Sequence, residues 1–170
     1  MSSNSLIYLA SSSASSSSTL SVSHSLADYD VAYVVVNNLV PSTDAAIRWR
    51  VTQSGTPDTT SNYQNARRDM PANAAFQNNE AEDGDYVENA TVEADSNLGF
   101  NAVFWLYNFN SSTEYSYANW QHATWVTTPQ AFGGYGGFIH TELATSGGLS
   151  FHFSTGNIAS GELTLYGISK

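Results

Sequence analysis

The residue types with the most chemical potential in this chain are its histidines, clustered carboxylates and aromatic side chains. The four histidines lie apart at His24, His122, His140 and His152, and none shows the close spacing that places two imidazoles on one metal ion. The chain has no cysteine, which excludes a thiolate metal site, a cysteine nucleophile and a disulfide scaffold. It also lacks a nucleophile elbow, a phosphate-binding loop and a dinucleotide fingerprint. We therefore predict a protein that is not an enzyme and needs no metal or cofactor.

Carboxylates cluster in residues 80–95, which contain no base. Within this segment, residues 82–85 read EDGD, and clustered carboxylates on a turn can bind calcium. The spacing does not fit an EF-hand, because placing Gly84 at the sixth loop position puts alanines at the third and twelfth. We expect a solvated acidic loop, with calcium binding as the alternative.

Aromatic residues make up 13% of the chain and have two possible uses. Tyr115, Tyr117 and Trp120 have polar neighbours, so we expect these rings to be exposed and able to form a glycan-stacking platform. Trp105 lies in an apolar run and is expected in the core. The competing interpretation is that all of these rings fill the interior of a β-sandwich.

Most of the few basic residues form two pairs, Arg48 with Arg50 and Arg67 with Arg68. Residues 48 and 50 should share one face of a strand, because side chains two apart point the same way. Two interpretations stay open for these four arginines. They neutralise the acidic segment, or they bind an acidic partner or neighbouring subunit, since arginine is enriched at interfaces.

The overall charge and hydropathy exclude several classes of protein. Charged residues make up 12% and the formal net charge is -10. Such a chain repels nucleic acid and anionic lipid, so we expect neither as a partner. No apolar run reaches the ~18 residues of a membrane span. The run at residues 6–10 is too short for a secretion signal, and residues 1–4 carry no base, so we expect no classical secretion.

Short segments of alternating or β-branched residues, separated by turn formers, predict an all-β protein. The predicted strands cover residues 20–26, 31–40, 47–51, 98–107, 115–127, 149–153 and 163–168. Residues 53–62 and 108–113 are expected to be loops, and GGYGG at 133–137 a tight or bulged connection. We predict an antiparallel β-sandwich or jelly roll of about eight to ten strands.

The chain is expected to form one domain. Residues 1–18 form a Ser-rich N-terminal arm, which is either a flexible linker or an exposed edge strand. Residues 19–170 form a single β-sandwich domain, in keeping with the typical domain length.

Three stretches resemble bacteriophage virion proteins. Residues 11–55 are similar to a recurrent opening, in which a Ser-rich strand and a Tyr-centred apolar strand precede the motif N-x-x-P-S-T-D. Residues 151–170 are similar to a closing pattern, F-x-F-S-x-G-N-I followed by a Gly-containing turn and L-x-L-Y-G-I. Residues 108–120 resemble a segment that these proteins share before an aromatic strand. Residues 66–97 match no pattern of the family.

The resemblance implies a phage structural protein with a β-sandwich fold and no catalytic residues. Related domains decorate capsids or act in tails as fibre or receptor-binding modules, commonly as trimers. Because the chain shows one domain and no stalk, we expect a capsid decoration (cement) protein on the capsid surface. It would be a homotrimer that contacts the major capsid protein or other virion proteins. The alternative is a tail-fibre or receptor-binding component that recognises a host surface glycan, and a free carbohydrate-binding module is a further possibility.

Overall fold

Strands, most of them with alternating inward and outward side chains, make up most of the described part of the chain. The computed structural model describes residues 5–127 and 130–168. Within these ranges it contains thirteen strands in one antiparallel, nearly closed sheet, which confirms the all-β class. The strands are β1 (Leu6–Ser17), β2 (Leu20–Ser23), β3 (Val31–Pro41), β4 (Ala45–Gln53), β5 (Thr56–Pro57), β6 (Tyr63–Pro71), β7 (Gln77–Gly84), β8 (Val87–Val92), β9 (Phe100–Tyr107), β10 (Ser116–Val126), β11 (Gln130–His140), β12 (Gly148–Phe153) and β13 (Ile158–Ile168). No helix in these ranges is long and apolar enough to cross a membrane.

The strands form two layers. The large layer has the order β1-β13-β3-β9-β10-β11-β6-β7, and the small layer has the order β8-β4-β12-β2, with β5 beside β4. The layers join where Val126 of β10 pairs with Val92 of β8. This arrangement belongs to the sandwich or barrel-like all-β class and is consistent with the β-sandwich that the sequence predicts.

Large aromatic rings fill the space between the layers. Trp49 of β4 is fully buried and its ring centroid lies 5.3 Å from that of Phe104 and 5.1 Å from that of Trp120, both on the large layer. Phe151 of β12 lies 5.6 Å from Phe104. These edge-to-face contacts are the geometry that aromatic rings prefer.

The Ser-rich arm is an ordered edge strand as far as the structure describes it. β1 pairs with β13 from Leu6↔Ile168 to Ser17↔Ile158. Leu9, Ala10 and Ala14 also pack against the hydrophobic core. Of the two interpretations of this segment, the edge strand is therefore the observed one, and residues 1–4 lie outside the described part.

The prediction of eight to ten strands is too low because the polar segment 56–92 also forms strands. β6 turns Asn65 and Asp69 inward, so its pattern does not read as apolar alternation. The acidic segment is not a loop, since it contributes β7, a short turn and β8. Pairing with arginines, described below, makes this possible in a segment so rich in carboxylates.

The predicted connection at residues 133–137 is also wrong, because GGYGG lies inside β11. Its glycines allow aromatic side chains of β10 to lie against the backbone. A Cβ atom at Gly136 would meet the ring of Trp120, and a Cβ atom at Gly134 would meet that of His122. Glycine in a strand interior often marks such a close approach.

Candidate ligand-binding face

The outer face of the large layer, which points away from the small layer, carries an unusual number of exposed rings and amides. In β10 every second side chain is buried, so residues 117, 119, 121, 123 and 125 point outward. β9 and β11 alternate in the same way, with Trp105 and Tyr135 outward. The exposed fraction is 39% for Trp105 and 50% for Tyr135.

A depression of about 830 Å³ lies on this face over β9, β10, β11, β6 and β7, and we call it the groove. Its floor is low because Ala66 and Gly137, paired across β6 and β11, have almost no side chain. Trp105 stands on one side of this floor, and Glu80 stands on the other. Small residues between larger ones therefore form the cleft.

Strand register places the outward side chains of the groove in two rows. One row runs Trp105, Asn119, Gly137, Ala66 and Glu80 across five neighbouring strands. The other row runs Gln121, Tyr135, Arg68 and Asn78. The groove therefore offers two aromatic faces, four hydrogen-bonding amide or guanidinium side chains and one carboxylate.

The structure separates the three residues of the predicted glycan platform. Tyr115 and Tyr117 are 41% and 40% exposed, whereas Trp120 is buried at 1%. The prediction for Trp120 is wrong because Trp120 and Tyr117 have opposite parity on β10, so they point to opposite faces. The expectation that Trp105 lies in the core is also wrong. Its apolar neighbours Phe104 and Leu106 point inward on β9, so Trp105 points outward.

A signal for the correct assignment is present in the sequence. In β10 the outward set includes Asn119 and Gln121, while the inward set includes Ala118 and Trp120. In β9 the outward set begins with Asn101. Sorting each strand by parity, rather than by immediate neighbours, identifies Trp105 as the exposed tryptophan.

The first arginine pair serves the acidic segment. Arg48 Nε donates to Glu88 at 2.6 Å, and Arg50 Nη2 donates to Asp85 at 2.7 Å. Both guanidinium groups also lie over the ring of Tyr86, at 4.1 and 5.8 Å from its centroid. Residues 48 and 50 do share a face, as predicted, and their contacts fit the charge-neutralising interpretation.

The second pair is split between the two faces of β6. Arg67 points inward, where it contacts Asp69 at 3.1 Å and donates to the backbone oxygen of Glu88 at 2.5 Å. Arg68 points outward into the groove, and its Nη1 lies 3.5 Å from Asn78 Oδ1. The four arginines therefore do not form one basic patch.

Among the described residues, one group of three side chains has the composition of a metal site, and it lies away from the acidic segment. The Nε2 atom of buried His140 is 2.5 Å from Asp58 Oδ2 and 4.0 Å from Glu142 Oε2. Burial raises the pKa of Asp58, but hydrogen bonds from Thr60 and His140 outweigh that effect and lower it. The Nδ1 atom of His140 has no partner, whereas a metal-bound histidine normally donates its second N–H. This geometry favours a structural hydrogen bond over a metal site.

Asp58 also connects to the core through its backbone. The hydroxyl of fully buried Tyr63 donates to the Asp58 carbonyl at 3.0 Å and accepts the N–H of Val51 at 3.0 Å. The loop that precedes β6 is thus fixed to β4.

His122 lies beneath the outer face as a buried neutral group. Its ring stacks between Phe100 and Phe132, at centroid distances of 5.4 and 6.0 Å. Burial, aided by the charge of Arg67, lowers the pKa of His122 to about 4. Its Nε2 atom has no hydrogen-bond partner, so protonation would place an unpaired charge in the core.

Comparison with protein-family models found no match. Comparisons with curated proteins and with solved structures found no significant match either. The geometry of the groove, together with the resemblance of the chain ends, is therefore the basis for a function.

Proposed function

We propose that the protein is a surface module of a bacteriophage virion that binds a host glycan in the groove, without catalysis. The observation that carries this proposal is the pair of exposed rings, Trp105 and Tyr135, beside a floor made of Gly137 and Ala66. The resemblance of both chain ends to phage virion proteins supports the part of the proposal that places the protein on a virion. This proposal corresponds to the receptor-binding alternative of the sequence analysis. Trp105 and Tyr135 take the place of the platform predicted at Tyr115, Tyr117 and Trp120.

The groove has the chemistry that sugar binding requires. A pyranose ring has apolar C–H faces, which pack on aromatic rings, and a rim of hydroxyl groups, which need planar hydrogen-bonding partners. Asn119, Gln121 and Asn78 supply amides, and Arg68 and Glu80 supply a charged donor and a charged acceptor. All of these side chains lie within one depression.

The charge of the protein limits the class of glycan. A net charge of -10 repels polyanions at long range. Within the groove, Arg68 and Glu80 carry opposite charges and give no net field for an anion. We therefore infer an uncharged bacterial polysaccharide rather than an acidic one.

The test uses groove filling with a matched control. A Cβ atom at Gly137 has its nearest neighbours at 3.2 Å (Asn119 Oδ1) and 3.5 Å (Ala118 O), so a small shift of the flexible Asn119 amide accommodates it, and valine would cover the floor. Gly133 has the same outward orientation on β11 but lies outside the groove, with its nearest atom at 3.5 Å. We expect Gly137→Val to abolish binding and Gly133→Val to retain it.

Binding would be measured on an array of uncharged and acidic bacterial surface polysaccharides, with hits repeated by isothermal titration. Trp105→Ala should weaken a hit about tenfold, which corresponds to ~1.4 kcal/mol, a typical value for one aromatic contact. Trp125→Ala is the control, since Trp125 is equally exposed on the same face. Equal binding by the Gly137 and Gly133 variants would reject the groove as the site.

Capsid decoration is a second candidate, because the edge strand β1 is uncharged and has one described neighbour in its sheet. An edge of this kind can pair with a strand of another chain. As a decoration protein it would form a homotrimer that contacts the major capsid protein. Quantitative mass spectrometry of purified virions separates the candidates, because decoration requires hundreds of copies and a tail module about a few tens or fewer. Unchanged capsid heat stability after removal of the protein would argue against decoration.

A further inference from the structure

We propose that the groove is one end of a longer lane across the large layer, and that this lane holds an internal stretch of a linear, uncharged polysaccharide rather than a chain end. This inference rests on the proposed glycan-binding function and specifies its ligand. It derives from a second depression on the same outer face.

The second depression, of about 560 Å³, lies over β13, β3, β9 and β10. Val35, Val103 and Thr164 form its floor, and Gln121 belongs to both depressions. The two depressions meet at Gln121, where Thr164, Val35, Val103 and Gln121 form one row from β13 to β10. Tyr135 and Arg68 continue that row and border the groove floor of Gly137 and Ala66, which lies in the neighbouring row. The lane is the floor of the second depression followed by that of the groove.

A line of aromatic rings borders the lane on one side. Tyr166, Tyr33 and Trp105 are paired in register on β13, β3 and β9. The ring of Tyr33 lies 4.6 Å from Trp105 and 6.5 Å from Tyr166. Burial raises the pKa of Tyr33, as does its neighbour Tyr166, so its hydroxyl stays a neutral donor. The wall thus presents aromatic surface continuously from β13 to the groove.

The length of the lane exceeds that of a single sugar. Six adjacent strands from β13 to β6 span five intervals of ~4.8 Å, or about 24 Å. A monosaccharide would occupy a small part of that distance, whereas several linked sugars would fill it. A chain terminus would be expected in a closed pocket, whereas this row continues at its two ends onto short polar side chains, Ser11 of β1 and Asn78 of β7.

The side chains along the lane fit a neutral polyhydroxyl ligand. Asn37 and Asn101 flank the second depression opposite the aromatic wall, and Gln121 stands between the depressions. Glu162 is the one charged residue in the lining of the second depression, and a carboxylate accepts hydroxyl protons. A peptide ligand is less suited, because the lane crosses paired strands whose backbone groups are already bonded to each other.

The test measures affinity against chain length with oligosaccharides cut from a polysaccharide that the protein binds. We expect affinity to rise from the disaccharide to the hexasaccharide. Tyr166→Ala should weaken the hexasaccharide about fivefold to tenfold and leave the disaccharide unchanged. Thr164→Tyr fills the second depression without removing a ring. It should also weaken binding of the hexasaccharide and leave binding of the disaccharide unchanged. Trp125→Ala is the control.

The lane is rejected if affinity does not rise with length, or if both Tyr166→Ala and Thr164→Tyr bind the hexasaccharide as the wild type does. That result leaves the groove intact when Gly137→Val still abolishes binding. If Gly137→Val has no effect on any oligosaccharide, the proposed function itself fails. The two failures are thus distinguishable in one set of titrations.

Discussion

Two adjacent glycines on β11 should respond to alanine in opposite directions. Gly136 points inward against Trp120, and Gly137 points outward into the groove. A Cβ atom at Gly136 would lie 2.5 and 2.6 Å from two ring carbons of Trp120 and 2.7 Å from the carbonyl oxygen of Ala66. Trp120 is 1% exposed and packs on Trp49 at 5.1 Å, so its ring has little room to move.

Two opposing contributions to the free energy of unfolding decide the stability of each variant. Overpacking a tight core costs about 1–3 kcal/mol, and replacing glycine by alanine in an accessible conformation returns about 0.4–1 kcal/mol. Neither glycine has a positive φ. Gly136→Ala should therefore lose about 1–2 kcal/mol. Gly137→Ala meets its nearest atom at 3.2 Å, in a flexible side chain, and should be neutral or gain up to about 1 kcal/mol.

The assay is urea unfolding of both variants and the wild type, read as a shift of the midpoint at constant slope. In thermal unfolding the same difference appears as about 2–4 °C per kcal/mol for a chain of this size. If Gly136→Ala is as stable as Gly137→Ala, the Trp120 ring does not lie against β11. The assignment of Gly136 to the inner face of β11, against Trp120, would then be refuted.

Three further predictions concern the histidine core, the Tyr63 hydroxyl and the N-terminal strand. His122 has a folded-state pKa of about 4, below its ordinary value, so the unfolded state takes up the proton first and stability falls as the pH drops from about 6.5 towards 4. His122→Gln should reduce that slope in urea midpoints compared at about pH 7 and about pH 5, and the rest of the slope comes from His152, whose pKa burial likewise lowers to about 4. An unchanged slope would exclude a contribution from His122. Tyr63→Phe leaves the buried N–H of Val51 without its acceptor, and should lower the free energy of unfolding by about 1–3 kcal/mol. A loss below about 0.5 kcal/mol would show that another group replaces the hydroxyl. Deleting residues 5–17 should lower Tm and expose β13 to protease, because Leu9 and Ala14 pack on the core, whereas removal of a mere linker would change neither.

Period-two alternation accounts for much of what the sequence predicts correctly. It identifies the all-β class and the shared face of Arg48 and Arg50. It does not locate strands in residues 56–92, where inward positions include Asn65 and Asp69 and outward positions carry carboxylates. Those strands form because their charged groups have partners: Arg67 contacts Asp69 on the same strand, and Arg48 of β4 contacts Glu88 of β8.

The misassigned tryptophans show where local reading fails. Trp105 has apolar neighbours in sequence and is exposed, while Trp120 has polar neighbours and is buried. Neighbours in a strand point to opposite faces, so they report on the other side of the sheet. The residues two positions from a side chain share its face, so their polarity indicates whether that side chain is buried or exposed.

The amino-acid sequence establishes a Cys-free, acidic chain, predicts an all-β fold and offers aromatic residues for a glycan platform. Which residues meet on one face depends on how the strands pair. The groove brings together Trp105, Gly137 and Glu80 through register across β9, β10, β11, β6 and β7. A slip of one residue in any of these pairings would turn a strand's side chains to the opposite face. The pattern within a strand indicates which side chains face the core, but packing between distant segments decides which strands pair and at which residues.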